Sequence, residues 1–170
     1  MPIRIDELRS AAYRTRRAAA RTFTEAKSLG MATAFLCHSH QDESLVKGLM
    51  NLLEEAGWRV YIDWLDSSMP DKPTKETAAR IKRRIMDHRY FLFLATSNST
   101  SSRWCPWEIG YADGVKDHDR MLIIPTTDGY STYGNEYLGL YRHIDLSSQN
   151  QLAVWEPGKT TDGTLVENLY

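Results

Sequence analysis

The sequence predicts an α/β domain whose central parallel sheet of about five strands is sandwiched between helices. Three observations carry this. Short apolar runs alternate with longer amphipathic stretches in steady succession. The runs are apolar on both faces, as strands buried between two helical layers must be. Turn-forming and polar residues gather just past each run, where a parallel sheet presents its carboxyl ends.

The first thirty residues stand apart. IRIDELRSAAYRTRRAAARTFTEAKSLG carries seven Lys and Arg against three acids and closes on Gly30. Ile5, Leu8, Ala12, Ala19, Phe23 and Ala26 recur at helical spacing, predicting a basic N-terminal helix with a thin apolar stripe. Such a helix packs on the domain's side or meets a partner or membrane surface; this stripe is too rich in alanine to hold a bilayer strongly. From Met31 the pattern changes. TAFLCH reads as a buried strand, and DESLVKGLMNLLEEAG as a helix with Leu45, Leu49, Leu52 and Leu53 on one face and Gly57 as its stop.

WRVYID, Trp58 to Asp63, is a second strand, followed by the polar loop WLDSSMPDKPT, whose prolines forbid regular structure. KETAARIKRRIMDH is a helix with Ala78, Ile81 and Ile85 inward, and YFLFLA a central third strand. SRWCPWEIGYADG opens the next helix, MLIIPT is a fourth strand, and YRHIDLS a fifth. The tail from Gln149 is expected to pack on the flank, with Trp155 as its buried anchor and a turn at Pro157-Gly158. YGNEYLGLY before it packs likewise or covers the far side of a pocket. The expected division is a helical extension over 1–30, a domain over 31–148, and a tail over 149–170.

Bulk properties narrow the function. At 170 residues, 42% hydrophobic and 25% charged, the chain has the make-up of one globular domain. A net charge of −1 excludes a global electrostatic grip on nucleic acid. No apolar run is long enough to span a bilayer, and the N-terminus lacks a secretory pattern. Two cysteines, Cys37 and Cys105, make no disulfide framework, so the expected location is cytoplasmic.

Open sheets of this kind bind ligands at the carboxyl edge, where strand order reverses. The segments expected there are HSHQD, DWLDSSMP, TSNSTSSRWCPWE and TTDGY, the unusual parts of the sequence. Pro106 suits the first turn of a helix, and Glu108 then lies in that turn, where the helix dipole favours its ionised form. On the purely structural reading, Glu108 only stabilises the helix start. Chemically, Trp104 four positions before it and Trp107 beside it border a fixed anion with indole faces. That suits a planar cation such as a nicotinamide ring. Departure of nicotinamide leaves positive character on the ribose carbon, which a preplaced carboxylate stabilises. Aromatic walls that exclude water then influence which nucleophile captures that carbon.

Three ordered elements carry a family resemblance: Phe-Leu-Cys-His-Ser after the first strand, Ile-Asp ending the second, and Ser-x-Trp-Cys-x-x-Glu after the third. From about Ala32 to Pro125 the chain resembles a TIR (Toll/interleukin-1 receptor) domain. The resemblance implies a flavodoxin-like three-layer fold, in agreement with the alternation. In the enzymatic branch, a glutamate four residues after a tryptophan is the catalytic residue of NAD glycohydrolase or ADP-ribose cyclase activity. These positions fall on Glu108 and Trp104. The family's loop after the first strand contributes to nucleotide binding, which points to His38, Ser39 and His40. Its loop after the second strand covers the pocket and mediates self-association, which points to Asp63 through Pro70, with Trp64, Asp66 and Met69 as candidate substrate contacts.

The chain departs from the family in carrying Ser39 and His40 where many members have arginines, so its histidines must be protonated to supply that charge. Its second loop also lacks the frequent glycine. With no effector domain beside it, the chain resembles stand-alone bacterial members such as the TIR subunits of Thoeris-like anti-phage systems, whose cyclised or conjugated ADP-ribose activates a separate effector. The resemblance implies NAD+ as substrate, no cofactor, and self-association through TIR surfaces.

Other chemistries are weaker. Cys37, His38 and His40 lack a fourth metal ligand, and His88, His118 and His143 show no paired spacing, so no metal site is expected. Cys105 at a helix start is a conceivable nucleophile that the family does not require. No glycine-rich phosphate loop follows any strand. Two readings remain: an NAD+-consuming enzyme, or a non-enzymatic adaptor acting through TIR–TIR assembly. The Trp104–Glu108 pair, which an adaptor has no need to keep, separates them.

Overall fold

The structure, a computed structural model, describes residues 1–14, 23–65 and 74–169. In chain order the elements are β1 (Ile3–Arg4), α1 (Ile5–Ala11), α2 (Phe23–Ser28), β2 (Thr33–Cys37), α3 (Glu43–Glu55) and β3 (Arg59–Tyr61). There follow α4 (Lys75–Asp87), β4 (Tyr90–Ala95), α5 (Ser97–Thr100), α6 (Cys105–Val115), β5 (Met121–Thr127) and β6 (Thr132–Tyr133). Strands β7 (Arg142–Leu146), β8 (Leu152–Trp155) and β9 (Thr164–Leu165) close the chain.

Five strands run parallel in the spatial order β3-β2-β4-β5-β7. Numbered along the sheet core this is 2-1-3-4-5, the doubly wound flavodoxin-like order. The chain leaves β2 for β3 on one side and then crosses to β4 on the other. The strand order therefore reverses between β2 and β4; Cys37 ends β2 opposite Phe93, and β4 runs two residues further to Ala95.

Alternation within the strands builds two cores. Leu92 and Leu94 join Leu36, Leu49, Leu53, Trp58 and Ile124 beneath α3, whereas Phe91, Phe93 and Ala95 join Phe35, Ile81, Ile85, Ile109 and Ile123 beneath α4 and α6. Every residue of β2 and β4 is buried, so both faces of the sheet centre are dry.

The ends of the chain extend the sheet beyond the expected five strands. Ile3 and Arg4 pair with Thr126 and Thr127 of β5, and among the described residues of the first thirty, helix covers Ile5–Ala11 and Phe23–Ser28. Helix α1 stops at Ala11 because it docks on α3. The Asn51 side chain donates to the Ala11 carbonyl at 2.9 Å, and Gly48 lets the Leu8 backbone approach so closely that a Cβ there would stand 1.8 Å from its oxygen. Ala19 of the expected stripe lies outside the described residues. The tail adds β8 and β9, antiparallel, rather than merely resting on the flank. Its anchoring tryptophan is Trp58, which is 1% exposed and donates its indole N–H to the Val166 carbonyl at 2.9 Å. Trp155 is only partly buried, its ring lying over Gly163. Among the described residues no helix is long and apolar enough to cross a membrane.

Candidate active site

The two loops flanking the reversal point are bolted together. After β2 the chain turns through His40–Asp42, with the Ser39 hydroxyl accepting the Gln41 N–H at 3.3 Å as a cap. Asp42, only 4% exposed, accepts the Thr96 hydroxyl at 2.5 Å and the Asn98 amide at 2.6 Å. Thr96 in turn caps α5 in a reciprocal box with Ser99, at 3.0 and 2.9 Å. This holds the loop after β2 against the loop after β4.

Helix α6 starts over the same edge. The Ser102 hydroxyl accepts the N–H groups of Trp104 and Cys105 at 3.1 and 3.3 Å, and Pro106 occupies the first turn as its missing N–H allows. Glu108 follows in that turn, its N–H donating to the Trp104 carbonyl at 2.9 Å. Its side chain is buried, and among the described residues no cation forms an ion pair with it. Burial pushes the Glu108 carboxyl up to about 7, with the Asp63 charge adding to the rise and a hydrogen bond from the Cys37 thiol opposing it. The helix dipole, worth at most about 1–2 kcal/mol, does not hold this carboxyl ionised as its position in the sequence suggests. A net rise of that size corresponds to about 3 kcal/mol against the ionised form, burial being the largest cause. The Cys37 thiol, itself driven well up by burial, lies between Glu108 and the Cys105 carbonyl, 3.8 Å from the latter.

A second cluster borders the first. The His38 ring is buried and donates its Nδ1–H to the Leu36 carbonyl at 2.8 Å, while Nε2 lies 3.4 Å from Asp63 Oδ1. His40, exposed, places its Nε2 3.4 Å from Asp63 Oδ2. Burial lowers the His38 pKa, with the Asp63 carboxylate pulling the other way. The two histidines thus share one carboxylate, and burial works against a cationic His38 near neutrality, contrary to the role in which protonated histidines replace the arginines. A buried carboxyl, two imidazoles and an aspartate now meet at the carboxyl edge of a doubly wound sheet. The family profile for the TIR domain matches residues 34–156.

The chain belongs to the TIR domain family. Over 127 residues it is 35% identical to a probable 3′ cyclic ADP-D-ribose synthase, ThsB′, of Bacillus cereus, covering 71% of this chain and 66% of that protein. Over 81 residues it is 27% identical to a candidate cyclic ADP-D-ribose synthase, TIR2, of Cytobacillus dafuensis, covering 46% of this chain and 21% of that protein. The chain therefore spans less than two thirds of the length of each.

Within this TIR domain the expected site residues fall as follows. Glu108, His38 and Ser39 are buried at the reversal point, and His40 lies on its rim. Trp104 is partly buried and meets Trp107 edge-on, with centroids 5.4 Å apart and planes at 88°. Trp107 also stacks on Tyr111 one turn further along α6, with Lys82 Nζ of α4 5.6 Å from its ring centroid. It packs the α4–α6 seam, leaving Trp104 as the indole at the helix start. Asp66, Met69 and the Trp64 side chain lie outside the described residues. Cys37 and Asp42 were not singled out as site residues by the sequence. A cysteine ending an apolar strand reads as core, and Asp42 finds Thr96 only across the sheet.

Proposed function

We propose that this TIR domain consumes NAD+, breaking the bond between nicotinamide and ribose and releasing or cyclising the ADP-ribose. The observation that carries the reading is Glu108, a buried carboxylate at the strand-order reversal with no ion pair among the described residues. In the reaction the C1′–N bond breaks, its electron pair leaves with neutral nicotinamide, and positive character grows on C1′. The Glu108 carboxylate stabilises that charge in a dry site, where it acts more strongly than in water. Water capturing C1′ and losing a proton yields ADP-ribose, and a nucleophile of the same molecule doing so yields a cyclic product. Entry of a cationic nicotinamide ring favours the ionised form of a carboxyl poised near 7.

The names of the two relatives, both cyclic ADP-D-ribose synthases, support the cyclising branch. The product then serves as an anti-phage signal read by a separate effector, and copies of the domain assemble through their TIR surfaces. The test is incubation of purified protein with NAD+, alone and under crowding that promotes assembly, with nicotinamide followed by chromatography and products by mass spectrometry. Wild type releases nicotinamide and Glu108→Ala loses it by at least about 100-fold. Release that survives in Glu108→Ala removes the assigned role, and no release from assembled wild type returns the domain to a scaffold.

A further inference from the structure

The segment between β6 and β7 returns over the catalytic edge. Gly134, with φ +107, presses against the ends of β5 and β4, where a Cβ would stand 3.0 Å from Pro125 Cβ and 3.3 Å from Ala95 Cβ. The chain then turns through Glu136, itself left-handed at φ 59, into the single turn Glu136–Leu140. Leu138, 2% exposed, plugs that turn into the core beside Cys37, Cys105 and Ile109. At its far end the Tyr141 hydroxyl donates to Asp113 of α6 at 2.8 Å. The turn is thus fixed at three points: the ends of β4 and β5, the core cluster that holds Cys37 and Cys105, and helix α6.

Tyr137 stands between those points and keeps 45% of its surface in solvent. We propose that Tyr137 is a substrate-contacting residue of the NAD+ site, its ring packing on the dinucleotide and screening the ribose carbon from water, so that it governs the division between linear and cyclic product. The inference rests on the NAD+-consuming reading above. Leu138, the next residue, packs in one core cluster with Cys37 and Cys105, and Gly134, three residues before, abuts Ala95 and Pro125 at the strand ends, so the turn holds the half-exposed Tyr137 at the carboxyl edge of the sheet. A tyrosine offers a large rigid face at small entropic cost, and stacking on a nucleotide base is tolerant of which base it meets. Removing the ring weakens dinucleotide binding and admits water to C1′, where capture by water gives linear ADP-ribose with a proton released.

The experiment compares wild type, Tyr137→Ala and Tyr137→Phe for nicotinamide release, KM, and the ratio of linear to cyclic ADP-ribose. A parallel titration measures NAD+ binding to Glu108→Gln and to Glu108→Gln with Tyr137→Ala. The expected result for Tyr137→Ala is a KM and a dissociation constant roughly tenfold higher and a severalfold larger linear share. Tyr137→Phe, which keeps the ring, stays within about twofold of wild type. Wild-type turnover with an unchanged KM and product ratio in Tyr137→Ala overturns the assignment while leaving the enzymatic reading intact. Wild type that neither turns over nor binds NAD+ overturns both.

Discussion

The Asp42 carboxylate accepts the Thr96 hydroxyl at 2.5 Å across the point where strand order reverses. That bond ties the loop carrying His38 and His40 to the loop leading into α6 and Glu108. Asp42→Ala leaves a buried hydroxyl and the Asn98 amide without their acceptor and is expected to cost roughly 2–4 kcal/mol of stability. Asp42→Asn keeps one acceptor and is expected to cost less than half as much. Urea denaturation midpoints for the three proteins check this, and coincident midpoints would remove the clamp.

The acid limb of activity reports Glu108. With its carboxyl at about 7 in the free protein, kcat/KM for NAD+ is expected to climb with pH and reach half its plateau near pH 7. The Asp63 charge is one cause of that elevation, so Asp63→Asn moves the limb to lower pH. A pH–rate series on both proteins decides it; a limb that stays in place in Asp63→Asn contradicts the coupling.

The same carboxyl makes stability pH-dependent with a definite sign. Its folded value lies above the unfolded one, so its contribution is intact below about 4.5 and is lost as pH rises through about 7. Glu108→Gln is therefore expected to be more stable than wild type at pH 8, by up to about 3 kcal/mol, and equal to it at pH 4. Thermal melts at the two pH values measure the difference. Equal stability at pH 8 means the carboxylate is solvated and the site is not dry.

Two glycines should respond oppositely to alanine. At Gly48 the new methyl collides with the Leu8 carbonyl, so Gly48→Ala is expected to cost at least about 1–3 kcal/mol or to undock α1. At Gly110, in α6, a Cβ meets nothing within 4 Å, so Gly110→Ala is expected to stabilise by up to about 1 kcal/mol. Denaturation, together with the rate of tryptic cleavage at Arg9, separates them. A Gly48→Ala protein that keeps both wild-type stability and a protected α1 contradicts the packing.

The sheet was legible because its signal is local. YFLFLA is apolar at every position, so it must be covered on both faces, and DESLVKGLMNLLEEAG repeats leucine at helical spacing. Pro106 announced the start of α6 and so the position of Glu108 in its first turn. The short strands were not legible. Ile3–Arg4 and Thr164–Leu165 are too brief to show a period and exist because β5 and β8 offer them open backbone groups.

Sequence alone determined the alternation of strand and helix, the carboxyl edge as the place for chemistry, and the residue types brought there. These follow from periods of two and 3.6 residues and from turn chemistry, each read within a few residues of chain. Tertiary structure alone decided the charge state at that edge. Local position favours an ionised Glu108, but burial beside Cys37 and Asp63, residues 71 and 45 positions away in the chain, raises its pKa to about 7. Desolvation depends on everything that surrounds a group in space, and no stretch of neighbouring residues encodes it.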